Sequence, residues 1–399
     1  MNISNPGTGQ VTGVASVTER MRSILDLVGA NVVQAEDLRR VPDANVQALR
    51  DIGYLRGMVP RAYGGSEESP VDLYRAARLL ASICPSTAWA TQLLMGHAHV
   101  VAAFSKQAQD EVWGNGPDSY AASSVAPAGK FTPAEGGFHL TGRYQFSSGC
   151  DHAHWVILGG MRPNAETGAS EHCLALVPRA EVQIVDTWFT AGLKGTGSKD
   201  IVIDGVFVPE HRIETMGALF MGQSRGIGLH DGELYRIPFS AIFGASFSVV
   251  ALGAADGMVR AYSERLRGRV SALTGLKTID SAPSLMRLAE SHQDLRAATA
   301  LIEQDWHDFL RLARGELAPT PDVLVGWRTT QSYVVKIAVQ ATDRLYNASG
   351  GSAGYLSNPA QRFWRDVHMA AGHYYVDYDI AARVLGRHLM GLPPEPGVI

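Results

Sequence analysis

The sequence predicts a mainly helical protein with a central β domain, an α+β chain in three parts. Helical apolar spacing at both ends and alternating, β-branched segments in the middle carry that reading. With 399 residues, 46% of them hydrophobic, the chain can bury the cores of two or three subdomains.

From Ser16 to Gln109 apolar residues recur every three to four positions, through Met21, Ile24, Leu25 and Val28 and again through Leu73, Ala76, Ala77 and Leu80. Breaks at Val59-Pro60 and Tyr63-Gly64-Gly65-Ser66 separate the helices of a domain expected over 1–117. Between Tyr120 and Pro209 the texture changes to YAASSVAP, GGFHLTGRYQFSSG, HWVILGG, CLALVP, VQIVDTWF and DIVIDGVFVP. Six to eight strands are expected, as a barrel or sandwich within 118–235. From Ile237 helical periodicity returns in four long stretches, including 285–312 and 323–345, and predicts a bundle over 236–399.

A formal net charge of -4 without a basic stripe argues against nucleic acid as a partner. The N-terminus has no basic segment ahead of an apolar one, and no later run is expected to approach the ~18 apolar residues of a membrane span, so a cytoplasmic protein without membrane contact is expected. Cys84, Cys150 and Cys173 are too scattered for a disulfide framework or zinc site. GLKGTGS and SGGSAGY lack the spacing of a dinucleotide fingerprint or P-loop, so no nicotinamide site is signalled.

The histidines pair as His97 with His99, His152 with His154 and His368 with His373, but no further ligands stand at metal-binding spacing. His97, in the apolar stretch WATQLLMGHAH, reads as a core histidine or as a buried functional group. His373, after QRFWRDVH in the last helix, reads as helix packing or as a site residue. Ser123-Ser124 and Ser147-Ser148-Gly149 end two predicted strands, where hydroxyls serve turns or ligands, and neither pair forms a serine-nucleophile motif.

Three motifs in order, GRYQFSSGCDHAHWVILGG, GLKGTGSKDIVIDGVFVPEHR and ASGGSAGYLSNPAQRFWRDVH, resemble the flavin-dependent oxygenases related to acyl-CoA dehydrogenases. The resemblance runs from Leu25 to Pro394. It implies the acyl-CoA dehydrogenase fold, with N-terminal helices, a middle β domain and a C-terminal four-helix bundle, assembled as a homotetramer. It also implies an oxygenase component that takes reduced flavin, FMNH2 or FADH2, from a separate NAD(P)H:flavin reductase. With O2 this component would hydroxylate a phenolic or other electron-rich aromatic through a flavin hydroperoxide.

The same resemblance places Phe146, Ser147 and Ser148 along the isoalloxazine, with Ser148 at its N5 edge and Ser124 among the cofactor contacts. Arg267 and Arg269 in ERLRGRV would reach the flavin phosphate; the residues alone read equally as a solvated helix end. His97, Ser123, His373 and His368 become the candidate catalytic groups, and Trp89, Phe239 and Phe243 the substrate pocket. Acyl-CoA dehydrogenases carry a base glutamate eight residues after the Asp of their RD motif, and this chain has Tyr374 there, leaving α-proton abstraction without a base. A dehydrogenase remains the alternative, as does an indole, polyketide or heteroatom monooxygenase of the same fold. Tyr346 replaces the dehydrogenase glutamine before Gly350-Gly351, which leaves FMN and FAD both open.

Overall fold

A computed structural model of the chain describes residues 15–164, 168–268, 270, 275 and 277–393. Helices come first: α1 (Val17–Arg22), α2 (Leu25–Ala30), α3 (Val32–Leu38), α4 (Asp43–Asp51), α5 (Pro70–Ala81), α6 (Pro85–Val101) and α7 (Lys106–Trp113). Ser16 starts α1 with a capping box closed by Glu19, and Pro70 and Pro85 open α5 and α6, where a missing N–H costs nothing. Every residue of α6 is buried, because the helix carries no charged side chain and runs between the sheet and the C-terminal helices.

The strands are β1 (Ala121–Ala134), β2 (Gly137–Ser147), β3 (Trp155–Pro163), β4 (Ser170–Pro178), β5 (Gln183–Val185), β6 (Lys199–Pro209) and β7 (Ile213–Thr215). They form one seven-stranded sheet in the order β5-β6-β2-β1-β3-β4-β7, parallel at β1/β3 and antiparallel elsewhere. A register shift between Tyr144 and Ser147 interrupts the ladder near the end of β2, where Ser147 pairs again with Lys199. This irregular end carries the FSSG segment.

Past α8 (Met216–Met221) the chain forms α9 (Phe239–Gly268), α10 (Ala282–Ala313), α11 (Pro321–Ala348), α12 (Pro359–Ala371) and α13 (Tyr378–Leu389). Four helical stretches were expected; five helices are described, three long and two short. Gly372 ends α12, and a single 3-10 turn, Tyr374–Val376, separates it from α13. His373 therefore stands in a connector and not in the last helix, which corrects the sequence reading.

α9 is the central strut of this region. A Cβ on Gly253 would lie 2.4 Å from the Arg78 carbonyl oxygen of α5, and one on Gly257 would lie 2.4 Å from the Phe363 ring of α12. The glycines let both helices approach closely. α9 also overturns the expectation about apolar runs: it is long and apolar enough to cross a membrane, but 83% of that stretch is buried inside the protein. It is apolar all round because other helices surround it.

Candidate active site

α6, β1, the end of β2, α9 and the connector after α12 converge on one place. His97 of α6 places Nδ1 2.7 Å from the Ala121 carbonyl oxygen and Nε2 2.8 Å from Ser123 Oγ. A carbonyl only accepts, so Nδ1 carries the proton and bare Nε2 accepts from the Ser123 hydroxyl. Burial pushes the His97 imidazole down to about 4, so it is neutral at pH 7. Ser123 is left with lone pairs, free to accept a hydrogen bond from a ligand.

At the end of β2 a second set of hydroxyls has a fixed direction. Trp89 Nε1–H donates to Ser148 Oγ at 3.1 Å, Ser148 and Ser198 Oγ are 2.7 Å apart, Ser198 Oγ and Thr196 Oγ1 are 2.6 Å apart, and Thr196 donates to the Leu193 carbonyl at 2.9 Å. Because the carbonyl must accept, Thr196 is a donor to it, Ser198 donates to Thr196, and Ser148 donates to Ser198. Ser148 therefore turns a lone pair outward and can accept one more N–H. Leu193 has a left-handed backbone, φ 49°, and its own N–H donates to Asp366 of α12 at 2.6 Å.

Beside Ser148, the Ser147 hydroxyl is fully buried without a hydrogen-bond partner, and the Phe146 ring is 63% exposed, edge-on to Trp188 at 6.1 Å. Phe146 also has a left-handed backbone, φ 64°, a conformation that costs a non-glycine residue about 1 kcal/mol or more. An unpartnered hydroxyl, an outward lone pair and an exposed ring on one turn fit a planar, hydrogen-bonding ligand such as an isoalloxazine.

His373 stacks on Phe247 of α9 at 3.8 Å between ring centroids and meets Trp89 edge-on at 5.9 Å. Its Nδ1 accepts from the Tyr375 N–H at 3.2 Å, so the neutral ring carries its proton on Nε2. Burial, then the nearby Arg328 charge, lower this imidazole to about 4. The two histidines thus differ in kind: His97 ends in an acceptor, His373 in a donor.

Arg328 of α11 is buried, donates to Ser332 Oγ and to the carbonyls of Tyr374 and Tyr375, and lies over the Tyr375 ring. It holds the connector that carries His373. Arg328→Met is expected to destabilise the protein by about 2–4 kcal/mol, because the buried Tyr375 carbonyl and the part-buried Tyr374 carbonyl lose a charged donor. Chemical denaturation checks this, and a loss under about 1 kcal/mol contradicts it.

Between α6 and α9 lies a cavity of about 10 Å³ bounded by Leu93, Val100, Phe239, Ile242 and Phe243, with Gly96, His97 and Ser246 completing the wall. That is room for about one water, so an aromatic ring enters only as the side chains of this wall move apart. No Asp or Glu lines it, so an α-proton base is missing there as well as at Tyr374.

The structure thus brings together His97, Ser123, His373, Ser147, Ser148, Phe146, Trp89, Phe239 and Phe243. Ser124 sits near them, but its hydroxyl donates to the Gln145 carbonyl at 2.9 Å, because successive strand residues face opposite ways. His368 is engaged elsewhere: its Nε2 lies 2.8 Å from Asp343 Oδ1, which also accepts from Trp364. Arg267 is exposed at the end of α9, Arg269 lies outside the described residues, and it is Arg265 that reaches the glycine-rich turn, at Ser352 Oγ.

Sequence reasoning missed Phe247, Ser198, Thr196, Ser246 and Arg328. Phe247 had a visible signal, since Phe239, Phe243 and Phe247 repeat at four-residue spacing on one helix face. Ser198 and Thr196 lie within the GLKGTGS motif, but their hydroxyl contacts are not written in it.

Comparisons with known proteins identify the fold and the family. The acyl-CoA dehydrogenase N-terminal domain model matches residues 17–116, and the acyl-CoA dehydrogenase C-terminal domain model matches residues 245–378. The chain is 42% identical to the oxygenase component of p-hydroxyphenylacetate 3-hydroxylase from Acinetobacter baumannii, across 98% of this chain and 93% of that one. The FADH(2)-dependent resorcinol hydroxylase oxygenase component of Rhizobium sp. is 32% identical, across 98% of both chains. Among solved structures, the HsaA monooxygenase of M. tuberculosis superposes with a TM-score of 0.90 at 33% identity, covering 96% of this chain and 99% of that one. The chain belongs to the flavin-dependent monooxygenase oxygenase components that are built on the acyl-CoA dehydrogenase fold.

Proposed function

We propose that the protein hydroxylates a phenol, using reduced flavin from a separate NAD(P)H:flavin reductase together with O2. The observation that carries the reading is the His97–Ser123 pair, a neutral base whose acceptor nitrogen takes a hydroxyl proton beside the apolar cavity that His97 lines. Bound reduced flavin, FMNH2 or FADH2, with O2 supplies the electrophilic oxygen.

This chain's own residues do the rest. Ser123 Oγ accepts from the phenol O–H and passes its own proton to His97 Nε2. An unreacted phenol has a pKa near 10 and loses its proton reluctantly, but its oxygen becomes strongly acidic as the ring gives up electrons, so a weak imidazole suffices. His373 Nε2–H would offer a donor to oxygen, and Ser148 Oγ would accept from the flavin N5–H. Trp89 and the Phe243–Phe247 pair exclude water. In this reading Ser147 and Phe146 also hold the flavin, Arg267 and Arg269 serve its phosphate, and His368 orders α12 against α11 through Asp343.

The decisive experiment supplies the purified protein with reductase, NADH, flavin and a panel of phenols, and follows hydroxylated product. Product that requires all components supports the reading; reduction of tightly held flavin by an acyl-CoA overturns it. The reading includes a cytoplasmic homotetramer. Support for assembly comes from Leu285, Met286 and Leu301 of α10, which are exposed apolar residues, and light scattering at monomer mass would reject it.

A pH profile tests the protonation states. Both imidazoles titrate near 4, so turnover is expected to stay flat from about pH 6 to 8. These histidines hold fewer protons folded than unfolded between about pH 4 and 6.5, so stability rises with pH across that window and their contribution is lost as pH falls toward 4. A rate limb centred near 6.5 would contradict the assignment.

A further inference from the structure

We infer that the substrate is an uncharged phenol bearing an apolar substituent, and that a carboxylate on that substituent is rejected; the inference rests on the phenol-hydroxylase reading. Five of the eight cavity-lining residues, Leu93, Val100, Phe239, Ile242 and Phe243, are purely apolar, and none is Lys or Arg. The two polar ones have already spent their donors. His97 Nδ1–H is committed to the Ala121 carbonyl, and the Ser246 hydroxyl donates to the Ile242 carbonyl at 3.0 Å.

Neighbouring groups supply little more. The Ser123 hydroxyl donates to His97, which leaves it only as an acceptor for a ligand. Buried Arg328, behind the Tyr375 ring, directs its N–H groups to Ser332 and to the Tyr374 and Tyr375 carbonyls. The His373 Nε2–H, beside the Phe243 and Phe247 rings, is thus one neutral donor next to a wall of acceptors and hydrocarbon. A phenol O–H, which donates, fits such a wall. A carboxylate needs several donors or a cation to replace its water, and would lie uncompensated there.

The aromatic wall points the same way. Phe239 stacks on Phe243 at 5.1 Å, and Phe243 meets Phe247 edge-on at 4.9 Å, so a continuous ring surface runs along α9 from the cavity to His373. An alkyl or aryl substituent would lie against it and lose water from both surfaces.

The test compares 4-hydroxyphenylacetate with its methyl ester, nearly equal in shape and differing by one charge, in the complete system with reductase, NADH and flavin at pH 7.5. The ester is expected to exceed the acid in kcat/KM by about 100-fold, and to bind the reduced-flavin complex more tightly in anaerobic equilibrium dialysis. An ester preference under about tenfold, or a preference for the acid, overturns the inference and leaves the hydroxylase reading standing. Absence of hydroxylated product from the acid, the ester and 4-ethylphenol alike, while reduced flavin is bound and oxidised, overturns the phenol-hydroxylase reading itself and the inference with it.

Discussion

His97→Asn is expected to lower hydroxylation by about 10²- to 10⁴-fold, the range a positioned general base contributes, while reduced flavin still binds. The asparagine amide can donate to the Ala121 carbonyl as Nδ1–H does now, so the local fold keeps its anchor. What disappears is the acceptor behind Ser123, and with it the route for the phenol proton. Single-turnover mixing of pre-reduced enzyme and substrate with O2 separates product from hydrogen peroxide. The expected trace shows normal flavin oxidation with oxygen appearing as peroxide, and wild-type product yield would remove His97 from the reaction.

The second large effect is at the other end of the site. Ser148→Ala removes the acceptor proposed for the flavin N5–H, and product per flavin oxidised is expected to fall about 10²-fold, typical of losing one aimed hydrogen bond. The same change strands the Trp89 Nε1–H and frees the Ser198 hydroxyl, at a cost of about 1–3 kcal/mol in stability. Ser198→Ala separates the two effects. Ser148 then keeps its oxygen but loses the acceptor that orients its proton, so coupling should fall less than in Ser148→Ala. Equal coupling in wild type and Ser148→Ala, measured as product against peroxide, would exclude the role.

Much of this architecture can be read from local pattern because periods of 3.6 and 2 are written residue by residue. The count of C-terminal helices failed where GHYYVD keeps apolar residues at helical spacing through a turn, so Gly372 was the only break on show. The apolar run in α9 was passed over for a related reason: a helix surrounded by other helices has the composition of one surrounded by lipid.

The site was legible as residue types and not as roles. His97 and His373 look alike in sequence, and their difference comes from one carbonyl and one backbone N–H that fix opposite tautomers. The hydroxyl chain joins Ser148 to Ser198 across 50 positions, and the grip of Arg328 on Tyr375 spans 47. Neither contact leaves a periodic trace. His368, attractive as a neighbour of His373 in sequence, is turned toward Asp343 by the helix.

The left-handed Leu193 has a consequence for the order of assembly. Its carbonyl sets the direction of the Ser148 hydroxyl, yet its own amide is anchored 173 positions later, on Asp366 of α12. The residues of β2 and β6 leave the ribosome long before that anchor exists. The sheet can therefore form before the Leu193 amide has its acceptor, while local contacts from Trp188 and Thr196 already hold the Leu193 carbonyl, and docking of α12 completes the turn. The flavin edge is therefore expected to mature last in refolding, read as a gain in reduced-flavin affinity after the sheet's circular dichroism has levelled off.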